Sequence, residues 1–217
     1  MISPFRSNKK LTVTQEYGNT TNNNWYRTNG IDIPFHNGVD IVFGTPKETF
    51  GTECVCPKGN WKVVKLTWES PNSTKGNGVT IQSEENNGVI YQVVYWHTSE
   101  IIIKLGQNLK EGDVICYIGN SGLCNPKPTS DKPFNGSHCH LMLFEYRKVT
   151  TPQGTEWKLQ NSNNGVSGSI DPRNLFDFYN WYKVDLDTGL EHDIWALLPF
   201  AKLQKDVVGW FKKIGLL

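Results

Sequence analysis

Four of the five histidines in this 217-residue chain lie in three short motifs whose residue types suit a metal site. The motifs are His36-Asn37-Gly38-Val39-Asp40, Tyr95-Trp96-His97 and Ser137-His138-Cys139-His140. A catalytic zinc ion takes three protein ligands from His, Asp or Glu, and hydrolysis also needs groups that exchange protons. The candidate ligands are His36, Asp40 and one histidine of the His138/His140 pair. Two histidines then remain for proton transfer.

The spacing of the last motif places two imidazoles on one face of a strand. Side chains alternate between the faces of a β-strand, so residues two apart point the same way. The run that contains His138 and His140 continues into apolar residues and is predicted to be a strand. Cys139 is therefore expected to point away from the metal.

The first motif has an even spacing of four residues, so His36 and Asp40 can also converge. Asn37-Gly38 is typical of a turn, and a strand is predicted to begin at Val39. Ligands at the ends of strands are held rigidly, as a catalytic metal requires.

Each motif alone also has an ordinary explanation as surface or core histidines. His97 by itself would be interpreted as a histidine packed beside aromatic neighbours, and His192 is interpreted as having no functional role. The joint occurrence of the three motifs favours the zinc site.

The order of the motifs resembles that of the lysostaphin-type, or LytM-like, zinc metallopeptidases. Further matching segments are Gly44-Thr45-Pro46, the stretch from Lys104 to Ile115, Ile118-Gly119-Asn120-Ser121-Gly122 and Ser169-Ile170-Asp171-Pro172. The resemblance extends over about residues 10–178. It implies one zinc ion per chain, held by His36, Asp40 and His140, with His97 and His138 as catalytic histidines. Cys139 replaces the leucine that the family usually carries between its last two histidines.

Composition predicts a mainly β protein with antiparallel sheets. Short runs of Val, Ile, Tyr and Trp alternate with turns of Asn, Gly and Pro, and residues 84–88 are predicted to form a hairpin turn. We expect a peptidase domain over residues 1–178 and a helical extension over residues 179–217. The net charge of +1 gives no support for nucleic-acid binding.

The five cysteines are an odd number, so at least one is unpaired. Cys54-Val55-Cys56 has no partner pair of the kind that structural zinc sites use. We interpret the cysteines as free buried thiols of a protein made in a reducing cytosol.

The C-terminal residues predict an amphipathic helix, because apolar residues recur every three or four positions. They are Phe200, Leu203, Val207, Trp210, Ile214 and Leu217. This helix is expected to pack on its own domain or on a second copy. Alternatives are a virion protein or a membrane surface.

The N-terminal residues lack the apolar segment of a signal peptide, and no run approaches the ~20 apolar residues of a membrane span. The family resemblance implies a zinc endopeptidase that cleaves bacterial peptidoglycan. We therefore expect synthesis in the cytoplasm and action on the cell wall through phage lysis or a virion. The alternatives are a phage tail component, a non-catalytic activator of a wall enzyme, or a peptidase that acts on ordinary proteins.

Overall fold

Antiparallel strands are the main regular secondary structure in the part of the chain that the computed structural model describes, residues 3–70 and 74–176. This confirms the predicted mainly β fold class. The predicted boundary after residue 178 and the C-terminal helix lie outside the described residues and stay predictions. Within the described residues, no helix has the length and apolar character that crossing a membrane requires.

The described strands and helices follow one another along the chain as short elements joined by tight turns. The strands are β1 (Phe5–Arg6), β2 (Leu11–Gln15), β3 (Val39–Phe43), β4 (Glu53–Val55), β5 (Asn60–Thr67), β6 (Gly78–Ser83), β7 (Val89–Trp96), β8 (Thr98–Ile101), β9 (Asn108–Lys110), β10 (Val114–Ile118), β11 (Cys139–Thr151), β12 (Gly154–Leu159) and β13 (Ser169–Ile170). Two short α-helices, α1 (Asn23–Thr28) and α2 (Pro46–Thr49), and a 3₁₀ turn at Pro172–Asn174 complete them.

Among the described residues, the larger sheet has the strand order β2-β3-β11-β7-β6-β5-β9. The long strand β11 pairs with β7 along one side, and with β3, β13 and β12 in turn along the other. The smaller sheet has the order β1-β4-β10-β8. The predicted hairpin at residues 84–88 joins β6 to β7, with Asn87 and Gly88 both at positive φ.

The core lies between the two sheets, where central strands of the larger sheet turn alternate apolar residues toward the smaller one. Tyr95 is fully buried there; its hydroxyl donates to the Val55 carbonyl, and its ring contacts Phe5. Cys139 is also buried on this side, near Cys54, as the strand alternation predicted. The opposite face of the larger sheet is left to form a cleft.

Candidate active site

Three neighbouring strands bring the first and last motifs side by side on the cleft face. In the antiparallel register, His140 of β11 lies opposite Asp40 of β3 on one side and opposite Trp96 of β7 on the other. His36 lies just before β3 and is buried. Its backbone is tied to the N-terminal segment, since its N–H donates to the Asn19 carbonyl. The pairing of β3 with β11 thus joins residues that are a hundred positions apart in sequence.

Three donor atoms from these residues form a small triangle. Nδ1 of His140 lies 2.9 Å from Oδ1 of Asp40 and 3.0 Å from Nε2 of His36, and Nε2 of His36 lies 3.2 Å from the same Oδ1. Two ligand atoms bound to a tetrahedral zinc ion at about 2.0–2.1 Å are roughly 3.3 Å apart. One proton cannot form hydrogen bonds between all three pairs of these atoms at once. A metal cation placed among the three atoms would contact each of them. The triangle therefore fits a zinc ion in size and in donor type.

The hydrogen bonds of His36 orient it as a metal ligand. Nδ1 of His36 lies 3.1 Å from the Glu16 carbonyl, which can only accept, so Nδ1 carries the proton. Nε2 is then the unprotonated nitrogen, and it faces the triangle. A carbonyl on the far side of the ring is the usual way in which proteins fix the tautomer of a metal-binding histidine.

His140 is held by packing rather than by a second hydrogen bond. Its ring stacks on Trp96 with centroids 5.3 Å apart and an angle of 15° between the planes. Its Nε2 is buried without a hydrogen-bond partner among the described residues. Gly38 lies against this edge of the ring: a Cβ there would be 2.9 Å from Nε2 and 2.5 Å from the Leu141 carbonyl. Only glycine lets the turn approach β11 so closely.

Asp40 stays ionised in this setting. Burial alone would raise the pKa of its carboxyl group. Interactions with the imidazoles of His138, His140 and His36 outweigh burial, and they hold the pKa of Asp40 well below its ordinary value. An anionic oxygen between two imidazoles is a suitable ligand for a divalent cation.

His97 reaches the cleft through an unusual backbone conformation. Alternation along β7 would place His97 on the face opposite to Trp96, yet both residues line the cleft. The φ of His97 is +62°, in the left-handed region, and this turn at the end of the strand brings its ring to the same side. Nδ1 of His97 donates to the Ser121 carbonyl at 2.8 Å, which leaves Nε2 unprotonated.

His138 lies beside His97, with ring centroids 4.6 Å apart. Nδ1 of His138 donates to the Gly136 carbonyl at 2.8 Å, so its Nε2 is also the unprotonated nitrogen. That Nε2 lies 3.7 Å from Oδ1 of Asp40, at the edge of the donor triangle. The two histidines thus form a pair next to the triangle, and both have a carbonyl behind the ring.

Burial keeps the His97 ring neutral. Burial, followed by the charges of His138 and His140, lowers the pKa of His97 from 6.5 to about 3. Burial also lowers the pKa of His140. A histidine that stays neutral through the physiological range can accept a proton during a reaction.

We predict that the metal-free protein loses stability on acidification because His97 is buried uncharged. Its pKa is about 3 in the folded protein and near 6.5 when exposed. Between these values the unfolded chain binds the extra proton, so the free energy of unfolding falls as the pH falls. From pH ~6.5 to pH ~5 the loss is at most about 2 kcal/mol.

Urea unfolding of chelator-treated protein at about pH 7.5 and about pH 5 measures this loss. His97→Gln should show a smaller decrease, because glutamine does not titrate. His140 acts in the same direction in both proteins and cancels in the comparison. Equal decreases in the two proteins would contradict the prediction.

The structure brings together the residues that the sequence singled out: His36, Asp40 and His140 in the triangle, and His97 and His138 beside it. His192 lies outside the described residues. Sequence reasoning missed the stacking of Trp96 and the carbonyls of Glu16, Ser121 and Gly136. Backbone carbonyls leave no signal in residue type, but the Trp next to His97 was visible and could have been considered.

A cleft of about 1080 Å³ opens over these residues. Its lining includes Trp25 and Tyr26 of α1, and Leu123, Asn125 and Pro126 of the loop before β11. The ring of Tyr26 is parallel to that of His36, with centroids 6.2 Å apart. The cleft is about as large as the upper end of the roughly 300–1,000 Å³ range of ligand pockets, and its lining mixes polar and apolar residues.

The family model of Peptidase family M23 matches residues 34–152, which is more than half of the chain and includes all three motifs. The chain belongs to peptidase family M23. No curated protein matches the chain. The M23 match confirms the resemblance drawn from the sequence and makes the chain a member of a peptidase family.

The chain is similar to solved structures that include an M23 protein. A zinc-containing peptidase from Vibrio cholerae is 24% identical, with 64% of this chain and 35% of that chain covered and a TM-score of 0.43. The catalytic domain of the prophage-encoded M23 protein EnpA from Enterococcus faecalis is 21% identical, with 75% and 92% covered and a TM-score of 0.42. The catalytic domain of lysostaphin from Staphylococcus simulans is 22% identical, with 69% and 89% covered and a TM-score of 0.41.

Proposed function

We propose that this M23 protein is a zinc-dependent endopeptidase that hydrolyses peptide bonds in the stems or cross-bridges of bacterial peptidoglycan. The observation that carries the proposal is the donor triangle of His36, Asp40 and His140, with two further histidines beside it. Peptidoglycan as substrate is supported by membership of the M23 family. The cleft adds room for a peptide over the triangle.

The donor set suits zinc by its chemistry. Two imidazoles and one carboxylate are the ligands of many catalytic zinc sites, which keep a further position open. His36 would bind through Nε2, His140 through Nδ1 and Asp40 through Oδ1, since these atoms form the triangle. A bound zinc ion would supply Lewis acidity, which polarises a carbonyl and lowers the pKa of water to roughly 7.

His97 is the better placed of the two outer histidines to accept a proton. Its unprotonated Nε2 has no hydrogen-bond partner in the part of the chain that the structure describes, and its lowered pKa keeps it available. In this role it removes the proton from the attacking water as the new C–O bond forms. It returns the proton to the leaving amine as the C–N bond breaks.

His138 is assigned the stabilisation of the negative oxygen of the tetrahedral intermediate. Its Nδ1 proton is committed to the Gly136 carbonyl, so it can donate toward the substrate only after Nε2 has also gained a proton. Oδ1 of Asp40, 3.7 Å from that Nε2, would stabilise the resulting positive charge. The two histidines therefore act in different protonation states.

We also propose that the protein acts on the cell wall as a phage lysis protein or a virion component. The C-terminal helix is proposed to pack on its own domain or a second copy, or to dock on a virion protein or a membrane surface. A purely structural or activating role would not need the metal donors. The chain retains all three donors and both flanking histidines, which favours an active peptidase.

Cleavage assays on two substrates test the proposed function. The zinc-loaded protein should reduce the turbidity of a peptidoglycan suspension and leave casein intact, whereas His140→Ala should leave both substrates uncleaved. Mass spectrometry of the released fragments then identifies the bond that is cut. Casein digestion without loss of wall turbidity would contradict the proposed substrate, and wall lysis that His140→Ala retains would contradict the proposed mechanism.

A further inference from the structure

A second group of metal-binding side chains lies next to the donor triangle. One ring nitrogen each of His97 and His138 and the thiol sulfur of Cys124 lie within 4.8 Å of one another. Cys124 is buried, and it has no part in the mechanism proposed above. Among the described residues, this group and the triangle are the clusters of three or more such side chains.

The loop that carries Cys124 is fixed in place by the same atoms that orient His97. The Ser121 carbonyl accepts from Nδ1 of His97 and, at 3.6 Å, from the thiol of Cys124. The Ser121 hydroxyl donates to the Thr98 carbonyl and accepts from the Asn77 N–H. These bonds hold the sulfur near the imidazole pair without any metal.

Close backbone packing fixes the position of this loop further. A Cβ on Gly122 would lie 2.3 Å from the Gly76 nitrogen, and a Cβ on Gly136 would lie 2.9 Å from the Cβ of Cys124. The segments around residues 76, 122 and 136 therefore meet at van der Waals distance. The cluster is held by the fold and needs little rearrangement to bind an ion.

Two imidazoles and one thiolate form a donor set for zinc and related soft or borderline cations, and a poor one for Mg²⁺ or Ca²⁺. From this arrangement we infer that His97, Cys124 and His138 form a second site for a zinc-class divalent ion, and that its occupation inhibits the peptidase. Binding displaces the thiol proton to solvent, so that a thiolate, rather than a thiol, is the ligand.

Inhibition follows whichever ring nitrogen binds the second ion. An ion on Nε2 of His97 takes up the lone pair that would accept the proton from water. An ion on Nδ1 instead leaves the single remaining proton of the neutral ring on Nε2, which then cannot accept another. The second site therefore acts on the histidines of the proposed reaction, and it does not need to displace the first ion.

Affinity for the second ion should be weaker than for the first. Nε2 of His138 lies 3.7 Å from Oδ1 of Asp40, so the two donor groups adjoin and two cations in them repel each other. The enzyme would then be active with one equivalent of zinc and inactive in excess zinc. Cys124 is the residue that distinguishes the second site from the first.

Titration of the metal-free full-length protein with Co²⁺ tests the site without any substrate. Cobalt bound to a thiolate gives a charge-transfer absorption in the near ultraviolet, which nitrogen and oxygen ligands do not give. We expect no such band with the first equivalent, a band that grows with the second, and two ions per chain at saturation. A band that rises with the first equivalent, or a second equivalent without a band, would overturn the inference.

The variant Cys124→Ser removes the sulfur and keeps a polar side chain of similar size. It should keep the first ion, lose the band and bind the second ion more weakly. The loss should exceed the roughly 10–100-fold that removal of a supporting hydrogen bond costs a metal site. Cys56→Ser is the matched control, because Cys56 is an equally buried thiol that belongs to neither donor group. It should behave as wild type.

The substitution Cys124→Ala serves the same purpose if the serine variant does not fold, and the wild-type titration needs no variant. Unchanged affinity for two ions in a folded Cys124 variant would overturn the inference.

Inhibition of hydrolysis is the part of the inference that rests on the proposed function. Activity at ten equivalents of zinc, relative to that at one, should fall in wild type and in Cys56→Ser, and should fall less in Cys124→Ser. If no substrate is cleaved at all, the proposed function fails while the cobalt titration still decides the second site. If hydrolysis occurs but excess zinc has no effect, inhibition is disproved and the proposed function stands.

Discussion

Purified protein should carry one tightly bound zinc ion per chain, and His36→Ala or His140→Ala should remove it. Each substitution deletes one corner of a triangle whose sides are 2.9–3.2 Å, and the remaining two donors cannot hold a catalytic ion. The affinity should fall by far more than the roughly 10–100-fold that loss of a supporting residue costs. Metal analysis after dialysis against limiting zinc measures the content directly.

The variant Asp40→Asn sharpens this test because it keeps the shape of the side chain and removes its charge. The carboxylate of Asp40 is ionised although it is buried, since His138, His140 and His36 surround it. Loss of the charge should therefore weaken zinc binding even where the fold is unchanged. His192→Ala, outside the three motifs in sequence, is the control and should retain full zinc. Full retention by both His36→Ala and His140→Ala would show that the ligand assignment is wrong.

The strand alternation of the last motif could be predicted from sequence, because period-2 patterns depend on backbone geometry alone. His140 and Cys139 do lie on opposite faces, one in the cleft and one in the core. The start of β3 at Val39 also matches the prediction from Asn37-Gly38. Both cases rest on local signals that span only a few residues.

The position of His97 could not be derived in this way. A regular continuation of β7 would turn it into the core, and the left-handed φ that prevents this is uncommon for residues other than glycine and cannot be read from the local sequence. The family resemblance predicted His97 as a site residue, which local periodicity could not do. A family motif identifies residues that come together only through tertiary contacts.

The proximity of Cys124 to His97 and His138 could not be predicted from the sequence either. It lies in a loop rich in Pro and Asn, fourteen residues before His138 in sequence, and only the fold brings its sulfur to the histidines. The sequence did predict that the cysteines are free and buried. All five lie within the described residues, and there they are buried and form no disulfide. The function of a buried thiol depends on neighbours that the sequence does not reveal.

Substituting either outer histidine should abolish most of the turnover while leaving the zinc content intact. His97→Ala and His138→Ala leave the triangle unchanged, because neither side chain supplies one of its three atoms. Loss of a general acid–base group or of an oxyanion donor typically lowers kcat by roughly 10²–10⁴-fold. Rates on peptidoglycan fragments should be measured at one equivalent of zinc, so that the second site stays empty. A variant that loses zinc would move its histidine into the ligand set.

The pH dependence of kcat/KM separates the roles of the two histidines. His97 is assigned the unprotonated form, because burial lowers its pKa and its Nδ1 is committed to the Ser121 carbonyl. The residual activity of His97→Ala should therefore lose the acidic limb of the wild-type profile, whereas His138→Ala should retain it. Loss of this limb in His138→Ala alone would exchange the roles, and an unchanged profile in His97→Ala would remove His97 from proton transfer. Since both rings are anchored by carbonyls, this measurement shows which of the two imidazoles accepts the proton from water.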